Sequence, residues 1–153
     1  MHLLLAVGVA AFMGSAPAPS DYTANNPGRL NWGPPPAGMP RGVKMIVVSG
    51  DPAKAGPYTI HLRFAPGYKI GPHRHPTEER IKVLAGGMSF GMGPSKETRE
   101  RILSRGMNAV VPANTYHFAS TAVGATVEFT GTGPFGITYA NPADDPEKTA
   151  AKK

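Results

Sequence analysis

The chain has 153 residues, 19 glycines, 17 prolines, no cysteine and a formal net charge of +6. That length supports one domain with a real core, and the glycine and proline content suits short strands joined by turns rather than a helical protein. The lack of cysteine excludes disulfides and thiolate metal sites and leaves oxidising and reducing compartments both open. Basic residues such as Lys44, Lys54, Lys69, Lys82, Lys96, Arg99, Arg101 and Arg105 are scattered, several beside glutamates, and Lys152 and Lys153 are only a tail. They read as a solvated basic surface, so no nucleic-acid partner is expected.

Residues 1–18 read as a secretory signal. Leu3 to Met13 is an apolar run, and Ala16-Pro-Ala18 resembles a small-residue cleavage site. Only His2 precedes the run, and Pro17 and Pro19 crowd the cleavage point; the competing readings are a mis-assigned start or an apolar N-terminal strand. The run is shorter than the roughly 20 apolar residues that span a bilayer, so no membrane span is expected in the mature chain. The expected location is the periplasm or outside the cell, or the cytoplasm if residues 1–18 are no signal. Residues 19–42 form a Pro/Gly-rich arm with Asn25-Asn-Pro-Gly and Gly33-Pro-Pro-Pro-Ala-Gly, which cannot hold a regular helix. The only tryptophan, Trp32, is expected to plug an edge of the core or to pack across a second subunit.

The main domain is expected over residues 43–140. Val43 to Ser49 is rich in β-formers. Tyr58 to Phe64 alternates, with Tyr58, Ile60, Leu62 and Phe64 on one face and Thr59, His61 and Arg63 on the other. If the polar face were inward, His61 and Arg63 could orient an anion; the favoured reading is that they face solvent or a partner sheet. His73 and His75 are one residue apart and share a face in a strand, as does Glu79, while Glu78 falls on the opposite parity. Two imidazoles and a carboxylate on one face make a partial metal shell. His117, at the end of a second strand-like run from Gly106, is a fourth candidate ligand. Between them, Ala85-Gly-Gly87 is read as a turn, Met88 to Met92 as a return strand and Glu97 to Arg101 as a charged rim. Ala109 to Val111, Ala125 to Thr130 and Phe135 to Tyr139 are further strands, and residues 141–153 a polar tail that frays.

The spacing of these residues resembles the cupin family. Glycine, five residues, His-x-His, three residues, Glu, six residues, glycine is met at every fixed position from Gly67 to Gly86. The second motif is met at Gly106, Pro112 and His117, with Asn114 where the family has glycine and Thr121 where it has asparagine. A turn position with positive φ accepts Asn next best after Gly. The second departure removes a polar structural residue and touches no expected ligand. With one copy of each motif, the resemblance implies an all-β fold, a single double-sheet jelly-roll barrel.

It also implies that His73, His75, Glu79 and His117 hold one divalent transition metal ion. Without sulfur among the donors, Fe, Mn, Ni, Co, Zn and Cu are not distinguished. Two functions follow as expectations: a metal-dependent enzyme on a small oxygenated organic substrate, of dioxygenase or isomerase/lyase type, or a non-catalytic metal or small-ligand binding protein of the cell envelope. No residue is assigned a catalytic role beyond the ligands. A homodimer is expected through sheet edges, with the arm as a candidate cover for such an edge.

Overall fold

The structure, a computed structural model, describes residues 31–150. The expected signal at residues 1–18 and the first part of the arm lie outside the described residues. Nine strands follow: β1 (Val43–Ser49), β2 (Gly56–Phe64), β3 (Lys69–Arg74), β4 (Glu79–Met92), β5 (Glu100–Ser104), β6 (Asn108–Val111), β7 (His117–Ser120), β8 (Ala125–Gly133) and β9 (Thr138–Tyr139). All pairings are antiparallel. The strands curl into one barrel in the order β1-β2-β8-β4-β7-β3-β9, with β5 and β6 also paired to β4. The chain is an all-β jelly roll.

The alternation in β2 decides its faces. Tyr58, Ile60, Leu62 and Phe64 are buried, and Ile60 and Leu62 sit opposite Phe129 and Val127 of β8. Across the barrel, Ile70, Met88, Phe90 and Leu103 complete the same core. Desolvation of this apolar set is what closes the two layers on each other. On the outer face His61 lies 3.3 Å from Glu128, and the Arg63 guanidinium lies 3.9 Å over the Trp32 ring. His61 and Arg63 thus face outward, not toward the cavity. Trp32 is half-buried on that outer face beneath Arg63, held by the adjacent Gly33–Met45 bridge, so within the chain it does not plug an edge of the core.

β4 links the two layers. Its first half pairs with β6 and β8, its second with β5 and β7. The expected turn at Ala85-Gly-Gly87 is instead a bend within one continuous strand of 14 residues. A register shift between Val83 and Ala85 changes the phase: Glu79, Ile81 and Val83 face inward before it, Met88 and Phe90 after it. Gly86 takes φ +69°, and a Cβ there would collide with the Gly124 carbonyl oxygen, so the bend needs glycine.

Beyond β9 the expected frayed tail is replaced, through residue 150, by a 3-10 turn (Pro142–Asp144) and a short helix α1 (Pro146–Ala150). Asn141 caps the turn by accepting a 3.0 Å hydrogen bond from the Ala143 N–H. Gly71 of β3 leaves room for the Asp144 carboxyl group, which a Cβ at that position would crowd.

Candidate metal centre

The two histidine segments meet because β3 and β7 are antiparallel neighbours. The register places His73 opposite His117, beyond a shift after Ile70 that re-aims the strand end. His75 lies one residue past β3, and its carbonyl accepts a 2.8 Å hydrogen bond from the Asn114 N–H. That bond ties the first histidine segment to the turn before His117. Asn114 holds φ +58°, the conformation expected of the residue standing in for glycine. Glu79 opens β4 opposite Val111 of β6 and points inward. Glu78 is half-exposed and paired with Arg80 at 2.7 Å, on the opposite face as expected.

The three rings converge. Centroids are 4.2 Å apart for His73 and His117, 5.0 Å for His73 and His75, and 5.3 Å for His75 and His117. One ring nitrogen from each lies within 4.8 Å of the others, a group able to hold a metal ion. The Glu79 Oε2 adjoins it, 3.0 Å from His117 Nε2 and 3.4 Å from His75 Nε2. All four side chains are buried, at 8% exposure or less.

Hydrogen bonds assign the tautomers. Nδ1–H of His73 donates to the Gly71 carbonyl at 2.8 Å, that of His75 to Gly136 at 2.7 Å, and that of His117 to Thr115 at 3.0 Å. Each ring therefore turns its Nε2 lone pair inward, the orientation in which imidazole binds a metal. Glu79 Oε2 and His117 Nε2 are left buried without a hydrogen-bond donor between them. Two acceptors 3.0 Å apart repel unless something positive lies between them. A proton on His117 Nε2 or a bound cation meets that need, and with all three Nε2 atoms turned inward the residues fit a metal ion.

The electrostatics agree. Burial, and then the neighbouring His117 and His75, push the His73 pKa well below its ordinary value. Burial likewise lowers His75, against the opposing pull of Glu79. Burial would also lower His117, but the hydrogen bond and charge of Glu79 and the Thr115 carbonyl outweigh it, and its pKa is raised. Two rings are thus held neutral with lone pairs free, and the third lies where the carboxylate attracts positive charge.

Thr121 restores part of what its departure from the motif removes. It is buried, its hydroxyl donates to the Gly87 carbonyl at 2.7 Å, and its backbone bonds to Gly67 and Tyr68. The expectation that a polar structural residue is lost here is corrected.

A cavity of about 40 Å³ opens beside the histidines. Twelve of the 16 lining residues are apolar, and the remaining four are His73, His75, Glu79 and His117 themselves. Met39, Phe135 and Ile137 line it from the arm and the β8–β9 segment. Sequence reasoning missed all three as site residues. Phe135 and Ile137 were legible only as strand alternation, and nothing in the sequence marks the Gly136 carbonyl as the partner of His75.

A jelly-roll barrel with a buried three-histidine group at its centre defines the protein as a cupin. Residues 22–130 match the ChrR cupin-like domain, and the chain belongs to that family. Among curated proteins none matches the chain. Solved structures of similar fold include the polyketide cyclase RemF from Streptomyces resistomycificus, with TM-score 0.65 and 16% identity, covering 85% of this chain and 93% of that one. The DMSP lyase DddQ from Ruegeria pomeroyi aligns with TM-score 0.58 and 17% identity over 72% of this chain and 60% of that one. KdgF from Halomonas sp. aligns with TM-score 0.52 and 21% identity over 67% and 88%. At such identities the likeness is one of fold.

Proposed function

We propose that the protein is a metal-dependent enzyme acting on a small oxygenated organic molecule, of dioxygenase or isomerase/lyase type. His73, His75, Glu79 and His117 are the protein ligands of one divalent transition metal ion. The observation that carries this reading is the inward convergence of three Nε2 lone pairs on a buried carboxylate oxygen, with every Nδ1–H committed to a backbone carbonyl. When bound, the ion would supply Lewis acidity or redox chemistry. The chain supplies the rest: backbone carbonyls lock the imidazoles, and apolar walls keep bulk water from the centre. A lyase and a cyclase among proteins of similar fold support an enzymatic role.

Elemental analysis of untagged protein tests the centre, with one transition metal per chain expected. Turnover on a panel of diketones, phenols and hydroxy acids tests the activity. Turnover that survives His75→Ala or Glu79→Ala unchanged would refute the assignment. One observation favours a second reading, a non-catalytic metal or small-ligand binding protein: no acid or base beyond the four proposed ligands lines the cavity among the described residues. Metal-dependent product formation would count against it. Pairing of two chains is part of the same proposal, because β1 is the outer strand of its layer and exposes Val47 and Val48. A monomeric mass by light scattering would remove it.

A further inference from the structure

The walls of the cavity carry information that its ligands do not. Apart from the four residues of the metal centre, every lining side chain among the described residues is hydrocarbon, aromatic or thioether. Among the described residues, no side-chain hydroxyl, amide, ammonium or guanidinium reaches the space. The Tyr68 hydroxyl is buried without a partner, but Tyr68 is not a lining residue. A bound molecule can therefore place one polar group on the centre, and everything else it carries meets apolar atoms. A second charge or hydroxyl on its body would lose its water and gain no partner.

The walls also mark the mouth. The lining residues are fully buried except Met39, Phe135 and Ile137, which are half-buried. Phe135 stands 5.0 Å from the His75 ring and 6.2 Å from Phe129, beside the centre. Ile137 lies over Gly38, where a Cβ would collide with it, and the Tyr139 hydroxyl donates to the Gly38 carbonyl at 2.7 Å. The arm is thus fastened across β9 with Met39 at the opening. The cavity is about 40 Å³ and opens at this end, so the body of a bound molecule soon reaches Met39 and Ile137.

We propose that the ligand of this centre is a small molecule with a single oxygen-donor head and a compact hydrocarbon body, and that Met39 and Ile137 set the length of that body. This rests on the metal reading above. Molecules that carry a second charge or hydroxyl on the body, out of reach of the ion, are disfavoured by the walls, whatever the ion.

The test uses the full chain loaded with one equivalent of Co(II), read by its visible absorption, and titrated with carboxylates differing only in their bodies. Butyrate should bind more tightly than acetate, by about fourfold per added methylene until the mouth is reached. Succinate and 4-hydroxybutyrate, which put a polar group at the far end, should bind about tenfold or more weakly than butyrate. Ile137→Ala and Met39→Ala should each raise the affinity for hexanoate relative to butyrate by about threefold or more. Succinate binding as tightly as butyrate on Co(II)-loaded protein overturns the proposal and leaves the metal centre standing. An unchanged hexanoate-to-butyrate ratio in both variants overturns the role of the mouth. A chain that takes up no Co(II) removes the centre, and the proposal with it.

Discussion

Stripping the metal from this protein and returning it should move the thermal transition by an amount that metal affinity sets. Without a metal ion, a proton on His117 Nε2 can bridge the 3.0 Å to Glu79 Oε2, which is why the His117 pKa is raised. The ion must displace that proton, so its net stabilisation is set by its free concentration relative to its Kd. Free ion held at about 1,000 times its Kd stabilises by about 4 kcal/mol. In a domain of this size 1 kcal/mol shifts Tm by about 2–4 °C, so reloading should raise Tm by about 10 °C. The assay is calorimetry on one preparation, first treated with chelator and then given Co(II) or Zn(II) in excess. The same addition to His117→Gln and Glu79→Gln should raise Tm by less than about 3 °C, because each variant lacks one donor. Stoichiometric uptake with a Tm shift under about 2 °C, or equal shifts in wild type and both variants, would show that the convergence of these groups is not a metal site.

Thr121→Val removes the buried hydroxyl bond to Gly87 and should cost about 1–2 kcal/mol, seen in urea unfolding, with metal content unchanged. Thr121→Asn, which keeps a polar side chain there, should retain more of that stability than valine does. Asn114→Val forces a β-branched residue to φ +58° and should cost about 1–2 kcal/mol while also weakening metal affinity, since the Asn114 N–H holds the His75 carbonyl. Asn114→Gly should stay within about 0.5 kcal/mol of wild type. Gly86→Ala combines φ +69° with a collision against the Gly124 carbonyl and should cost at least about 2 kcal/mol, read as a lower urea midpoint or loss of soluble protein.

The residues at the centre were legible because metal chemistry restricts which side chains can serve and the strand period restricts where they can stand. His73, His75 and Glu79 share a parity, and their segment is nearly all β. His117 was harder, since nothing local says that a residue 44 positions after His73 lies opposite it; the motif resemblance supplied that link, and the β3–β7 register realises it. The bend in β4 was misread because two consecutive glycines serve a tight turn and a bulge equally well, and only the partners on either side distinguish them. The core-edge reading of Trp32 failed for a related reason. A lone aromatic in a proline-rich arm signals an anchoring contact, while its partner, Arg63, belongs to the outer alternation of a strand 31 residues later.

The orientation of the ligands rests on backbone carbonyls, and the selection of what they meet rests on side chains. Every imidazole is set by a backbone carbonyl, from Gly71, Gly136 and Thr115. A carbonyl is present whatever side chain its residue bears, so substitutions that keep the backbone path leave the Nε2 atoms aimed at the same point. The cavity walls are instead all side chain, and three of them, Met39, Phe135 and Ile137, stand on segments outside the nine strands. Side chains there can change without disturbing a ladder hydrogen bond, but Gly136, whose carbonyl holds His75, lies between Phe135 and Ile137 and must keep its backbone path. Exchanging Phe135 for a smaller residue should therefore alter which molecules bind while metal stoichiometry and the spectrum of the unliganded Co(II) centre stay the same. A changed Co(II) spectrum in Phe135→Leu would show that the wall also supports the His75 ring, which it faces at 5.0 Å, and that the two tasks are not separable.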